Sequence, residues 1–363
     1  MKALIDTLLT ERTLSREAWI SLFSGWQPED AAYAAQAARR IAEERFGKKL
    51  YFRGIIEFTN RCGNDCYYCG LRRSSGETCR YHLTDDEILS CCRDGYEMGY
   101  RTFVLQGGED PSDTDERICR LVARIKTDFP DTAVTLSIGE REKASYQAMF
   151  DAGADRYLLR HETALKAHYD KLHPKEMSFE HRMECLWNLR EIGFQTGCGM
   201  MAGSPYQTAE ALAEDMLFME RFRPHMIGIG PFRHHHATPF RDFPDGSSEL
   251  TCFLISLCRI MLPEVLLPAT TALGCEGEDG RKKAILSGAN VIMPNLSPKA
   301  VRKQYLLYDH KPGLDQDAAE SLSALSELAS EIGYEMVVGR GDYGEVYRSE
   351  RRIRREGERN GTE

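Results

Sequence analysis

The chain has 363 residues, 42% hydrophobic and 28% charged, an ordinary globular composition that excludes collagen-like, disordered-tail and mini-protein readings. Its formal net charge of −9 argues against a phosphate-backbone footprint, so no nucleic-acid partner is expected. Length suggests about two domains, but α/β barrels exceed ~250 residues around one core, so the count rests on the pattern along the chain.

Residues 1–50 carry helix punctuation and no strand signal. Met1-Lys2-Ala3-Leu4-Ile5-Asp6 sets an acid where a secretory signal needs an apolar run, so a cytoplasmic location is expected. Ser15 caps Arg16-Glu17-Ala18-Trp19-Ile20, and Pro28-Glu29-Asp30 opens an Ala-rich helix to about Phe46; together they predict an N-terminal helical cap. Eight β-rich runs follow, at 51–58, 102–106, 133–138, 156–160, 195–201, 226–230, 265–271 and 290–293. Between them lie amphipathic stretches such as 84–98, 113–128, 178–192 and 208–221, several opened by a Ser, Thr or Asp cap. Eight β-α units in succession predict an α/β fold, a single (β/α)8 TIM-type barrel over 51–312. The most apolar stretch, 252–258, stops at Arg259, too short to cross a membrane, and no membrane partner is expected. A short C-terminal helical extension, 313–347, holds a helix at 317–332 and a Met336-Val337-Val338 strand. Residues 348–363, with six arginines in 348–359, read as a charged, disordered tail.

Directly after the first run stands Cys62-Gly63-Asn64-Asp65-Cys66-Tyr67-Tyr68-Cys69, three thiols at C-x3-C-x2-C. Twelve cysteines in a chain for which no export is expected point to thiols, metal or cluster ligands rather than disulfides. Three close thiolates suit a soft metal or an iron–sulfur cluster. A zinc-stabilised binding module needs a fourth ligand, for which Cys79 and His82 stand nearest, at a distance no zinc finger uses. Three cysteines on a [4Fe-4S] cluster leave one iron open to a substrate or cofactor. Cys91, Cys92, Cys119, Cys185, Cys252 and Cys258 read as small buried hydrophobes, with Cys198 and Cys275 nearer the barrel mouth.

Polar residues gather past the strand ends, where barrel enzymes build their sites. They are Gly107-Gly108-Glu109-Asp110, Ser137 with Gly139 and Glu140, Arg160-His161-Glu162-Thr163, Thr270-Thr271 and Met293-Pro294-Asn295. Backbone N–H groups at Gly107-Gly108, beside Glu109, suit a cofactor's polar head. Residues two apart on a strand share a face, so Arg156, Arg160 and Glu162 are expected inside the barrel, where charge needs a ligand or a partner. Arg182 falls on a helix, solvated or functional. His234-His235-His236 cannot all face one ion from a regular strand and reads as an exposed polar loop.

C-x3-C-x2-C after the first barrel strand, with the aromatic Tyr68 before the last cysteine, resembles the radical SAM superfamily. The segments 51–58, 104–111, 156–163, 228–232, 268–272 and 289–295 narrow the resemblance to FeFe-hydrogenase maturases of the HydE type, over roughly residues 50–310. The resemblance implies a single [4Fe-4S] cluster on Cys62, Cys66 and Cys69. It also implies S-adenosylmethionine, reductively cleaved to a 5′-deoxyadenosyl radical and contacted by Gly107, Gly108, Glu162 and Arg182, with Tyr305 near its adenosyl part and Glu109, Ser137 and Tyr68 in the same cofactor set. Arg156, Arg160, Thr135, Thr270, Thr271 and Met293 would line an anion-accepting cavity for a small sulfur-containing substrate. For this family that substrate is a cysteine-ligated iron complex bearing CO and cyanide, delivered by a companion maturation protein, with an electron donor such as ferredoxin or flavodoxin. Other reactions on the same scaffold are a biotin-synthase-like sulfur insertion and a methylornithine-synthase-like rearrangement. Two segments depart from the family pattern: Gly203-Ser204-Pro205-Tyr206 stands for a Gly-Leu-Pro-Gly turn, and Arg233-His234-His235-His236 for a proline-flanked histidine. No cysteine follows Cys275, so no accessory cluster is expected near the C-terminus.

Overall fold

The computed structural model describes residues 1–276 and 278–344; the expected tail at 348–363 and the last residues of the expected extension lie outside the described residues. Each of the eight β-rich runs forms strand. The first is broken at Arg53 into β1 (Lys49–Phe52) and β2 (Gly54–Thr59). Then follow β3 (Thr102–Gly107), β4 (Ala133–Ser137), β5 (Arg156–Leu158), β6 (Gln195–Ala202), β7 (Met226–Pro231), β8 (Pro268–Ala269), β9 (Val291–Ile292) and the C-terminal β10 (Glu335–Val337). Strands β2 to β7 hydrogen-bond in chain order as one sheet, and the order β10-β1-β9-β8 forms a second. All pairs are parallel. Isolated parallel bridges join the sheets, Ile55 with Asn295 on one side and Met226 with Leu266 on the other, so the ring runs from the first strand round to β9. β8 is shorter than its apolar run because Thr271 opens a 3-10 turn, Thr271–Glu276.

Between strands the chain returns through helices whose starts follow from side-chain caps. Thr84 Oγ1 accepts the Glu87 N–H at 3.3 Å while the Glu87 carboxylate accepts the Thr84 N–H at 2.7 Å, the reciprocal pair that the sequence Thr84-Asp85-Asp86-Glu87 encodes. Thr114, Ser178 and Thr208 cap the helices Asp115–Asp128, Phe179–Ile192 and Ala209–Phe222. The N-terminal helices lie on the barrel's flank: Arg16–Gly25 packs on Ala209–Phe222, and Pro28–Phe46 on Ser248–Met261. Among the described residues no helix is long and apolar enough to cross a membrane.

The C-terminal segment closes the opposite end from the cysteines. β10 pairs in parallel with β1 and carries residues 340–343 beneath the barrel. There Arg156 donates to Asp342 at 2.6 Å and to the Arg340 carbonyl at 2.7 Å. Arg340 in turn reaches Asp155 at 3.0 Å.

Candidate active site

The loop after β2 is built to hold its three thiols. Asp65 accepts from Arg72 Nε at 2.8 Å and from Ser74 N and Oγ at 3.0 and 2.5 Å. The Arg72 guanidinium, helped by Ser74 and opposed by some burial, holds the Asp65 carboxyl well below the usual carboxylate range. Asn60 donates to the carbonyls of Cys79 and Gln304, and Gly63 N–H to the Glu109 carbonyl at 2.8 Å. Met177 Sδ lies 3.7 Å from Cys66 Sγ. All three cysteines are free. Burial, then repulsion from one another, pushes the Cys66 thiol up, and the Cys69 thiol up to about 12. Iron bound to the thiolates would remove that penalty, because a coordinating thiol is deprotonated outright.

The thiols open onto a cavity of about 360 Å³ inside the barrel mouth. Its wall takes in Cys62, Cys66, Cys69, Tyr68, Gly107, Gly108, Glu109, Thr135, Ser137, Arg160, Glu162, Arg182, Thr270, Thr271, Met293 and Tyr305, residues expected from the sequence. Gly108 is needed for close approach, since a Cβ there would stand 2.2 Å from the Arg61 carbonyl oxygen. Its N–H, expected to be free for a cofactor, instead bonds Thr59 O at 3.3 Å, because the strand ladder continues through it. Burial pushes the Glu109 carboxyl up, against the pull of Arg182. Arg182, buried on its helix, pairs with Glu140 and donates to the Arg160 carbonyl at 2.8 Å. Burial works against its charge, but Glu140, Tyr169 and Glu109 outweigh it and hold its pKa above the ordinary value. Tyr68 meets His173 Nε2 at 3.2 Å. Thr135 and Thr270 line this space with buried hydroxyls that have no hydrogen-bond partner, and Arg160 Nε is likewise unmatched.

Arg156 departs from expectation. It points inward, but beneath the cavity rather than into it, fully buried and paired with Asp342, so the partner its charge needs is the chain's own C-terminal segment. Arg160 and Glu162 lie past the end of β5, on the loop, and pair with each other at 3.0 Å. His235 is buried, packed where a Gly70 Cβ would meet its ring at 2.4 Å; of the expected polar loop, only His236 is exposed. Cys198 is buried against Cys258 and Asp215, outside the cavity wall. Tyr206 takes a left-handed φ of 64° at the position where the family pattern has glycine, the residue that conformation favours.

The sequence reading missed Arg53, Glu57, Gln106, Tyr308 and Lys311 on the same wall. Arg53, Ile55 and Glu57 alternate along the first strand, and that period of two was the available signal. Glu57 pairs with the buried Lys311 and accepts from Asn295 Nδ2 at 2.8 Å. Lys311 also lies 4.8 Å over the Tyr305 ring, which the pair thereby backs.

Residues 56–219 match the family described as the radical SAM superfamily. The chain is 44% identical, over 76% of its length and 78% of the relative's, to the [FeFe] hydrogenase maturase subunit HydE of Thermotoga maritima. The chain belongs to this HydE family of radical SAM proteins. It is 28% identical to the 3-methylornithine synthase of Methanosarcina barkeri over 75% of its length and 77% of that protein's. The same fold appears in the crystal structures of methylornithine synthase (TM-score 0.78, 24% identity, 92% of this chain and 97% of that one) and of the maturase HydG (TM-score 0.78, 20% identity, 95% and 77%). As a HydE-family member the protein is an S-adenosylmethionine-dependent enzyme with a [4Fe-4S] cluster. The residues present fit that pair of groups: three free thiols and residues carrying unmatched polar atoms line one cavity. A four-ligand zinc site fits less well, since Cys79 is exposed and His82 is engaged by Asp113 at 2.9 Å.

Proposed function

We propose that this enzyme acts in assembling the FeFe-hydrogenase active-site cluster, on a small, sulfur-containing, anionic substrate. The observation that carries it is the convergence of Cys62, Cys66 and Cys69 with Glu162, Arg182 and Arg160 on one cavity, in a chain 44% identical to HydE. In this proposal the three thiolates hold the cluster and leave one iron without a protein ligand. When bound and reduced, the cluster supplies the electron that cleaves S-adenosylmethionine to a 5′-deoxyadenosyl radical. Gly107, Gly108, Glu109, Ser137, Glu162, Arg182 and Tyr68 orient that cofactor, and Tyr305, backed by Lys311, closes over its adenosyl part. Arg160, with the free hydroxyls of Thr135 and Thr270, anchors the substrate's anionic group, and Thr271 and Met293 complete the wall.

At the finer level, the substrate is a cysteine-ligated iron complex bearing CO and cyanide, received from a companion maturation protein in the cytoplasm, and the electron comes from a ferredoxin or flavodoxin. Residues 1–50, 51–312 and 313–347 are taken as cap, barrel and extension. The test is anaerobic reconstitution of the wild type and Cys66→Ala with iron and sulfide, then dithionite and S-adenosylmethionine, with 5′-deoxyadenosine and methionine quantified by mass spectrometry. Release by the wild type alone is expected. A full, reducible cluster that releases neither product overturns the catalytic proposal.

A further inference from the structure

We propose that Asp215, a buried carboxylate outside the cavity, is the positioning residue that sets Glu162 toward S-adenosylmethionine. This rests on Glu162 contacting that cofactor, as proposed above. Glu162 has a φ of 63°, a left-handed conformation that a residue with a Cβ keeps only where its surroundings impose it. Its side chain is nearly buried, with Oε2 3.0 Å from Arg160 Nη2, and lines the cavity. On the strand side, Glu162 N–H donates to the Gly199 carbonyl at 3.0 Å, and the residue bridges Met200 of β6.

The restraint from behind comes from the helix Ala209–Phe222. Asp215, fully buried on that helix, accepts the Ala164 N–H on Oδ1 at 2.5 Å. The same oxygen stands 3.3 Å from His161 Nε2, too poorly aligned for a full hydrogen bond. His161 Nδ1 accepts the Gly199 N–H at 3.2 Å, so in the neutral ring the proton sits on Nε2, facing the carboxylate. Phe218, three residues after Asp215, packs on the His161 ring at a centroid distance of 4.9 Å. One oxygen therefore holds the chain by a hydrogen bond at 164 and stands beside the His161 ring on the other side of Glu162, and His161 ties that turn to the same glycine that fixes Glu162 from the front.

Asp215 is a poor choice if its role were packing alone. Its Oδ2 is buried with no hydrogen-bond partner among the described residues, and an unmatched buried carboxylate oxygen costs stability that an apolar side chain of similar size would not. What it gains is geometry: a fixed acceptor behind a strained turn whose glutamate faces the cavity.

The experiment compares Asp215→Leu, Asp215→Asn, His161→Leu and Glu162→Gln as reconstituted holoenzymes. It reads iron content, thermal midpoint, S-adenosylmethionine affinity by anaerobic titration, and KM and kcat for 5′-deoxyadenosine release. Asp215→Leu and His161→Leu are expected to weaken S-adenosylmethionine binding about ten-fold, in Kd and KM together, with iron content and kcat within about two-fold of wild type, the pattern of lost ground-state binding. Asp215→Asn keeps an acceptor for Ala164 N–H and is expected to restore most of the affinity. If Asp215→Leu does not fold, Asp215→Asn and His161→Leu decide. Wild-type affinity in His161→Leu, or a loss in Asp215→Asn as large as in Asp215→Leu, overturns the proposal, as does a lowered thermal midpoint with unchanged affinity. Glu162→Gln separates the two levels: unchanged affinity there sinks the assignment of Glu162 itself, whereas weakened affinity there with none in the other variants sinks only the positioning.

Discussion

Arg53 and Arg156 are both buried near the floor of the barrel, yet their charges are met in opposite ways. Arg156 has Asp342 at 2.6 Å, the Arg340 carbonyl at 2.7 Å and Thr102 Oγ1 at 3.0 Å. Asp342 is a carboxylate that burial alone would protonate more readily, but Arg156 and Arg340 outweigh burial and hold its pKa well below the usual range. A carboxyl with a depressed folded pKa contributes stability that is fully present above the unfolded value of about 3.9 and is lost as pH falls below it. Urea unfolding of the wild type should therefore weaken steeply with acid below about pH 4. In Asp342→Asn the midpoint at neutral pH should be lower and the acid slope shallower. Equal acid slopes in the two proteins would show that Asp342 is not a source of acid lability.

At the scale of elements, β6 and β7 approach so closely that a Cβ at Gly199 would stand 2.1 Å from the Gly228 carbonyl oxygen. Backbone cannot swing aside as a flexible side chain does, so Gly199→Ala should cost about 1–3 kcal/mol of unfolding free energy. Gly76→Ala, where nothing lies within 4 Å, should be close to neutral. Denaturant titration of both tests whether barrel crowding, rather than glycine's flexibility, fixes residue 199. The elements themselves were legible because eight β-rich runs alternate with capped amphipathic stretches, and Thr84 and Ser178 mark helix starts in the structure as in the sequence. The mouth residues were legible for the same reason, since parallel strands deliver the residues after their C-terminal ends to one side. Arg156 was misplaced because its partner is 186 positions away, and no periodicity links a strand residue to a distant carboxylate. Asp215 carried no signal either: on an amphipathic helix its number says nothing about which turn it supports.

Across the whole molecule, a formal charge of −9 surrounds a cavity whose wall carries the cations Arg53, Arg160, Arg182, Arg233 and Lys311. Most cations on its wall are answered in place: Arg182 by Glu140, Lys311 by Glu57, Arg160 by Glu162 and Arg233 by Asp245. Arg53 is not. It donates to the Gly341 carbonyl at 3.1 Å and lies against Met226 Sδ, its Nε has no partner, and no carboxylate lies within 4 Å among the described residues. Burial, and then the nearby Arg156, pull its pKa well down, against the weaker pull of Asp342. A cavity with low-dielectric walls concentrates such a field and favours anionic ligands. Two variants separate this role from structure. Arg156→Met leaves Asp342 without its closest cation and should lose about 3–5 kcal/mol of stability, with substrate KM unchanged. Arg53→Met strands no carboxylate and should leave stability nearly unchanged or raise it. It should also raise KM for the proposed anionic substrate while sparing 5′-deoxyadenosine release in the substrate's absence. Steady-state kinetics beside urea unfolding reads both quantities on the same preparations, and a KM effect in Arg156→Met rather than in Arg53→Met would place the anion below the cavity floor.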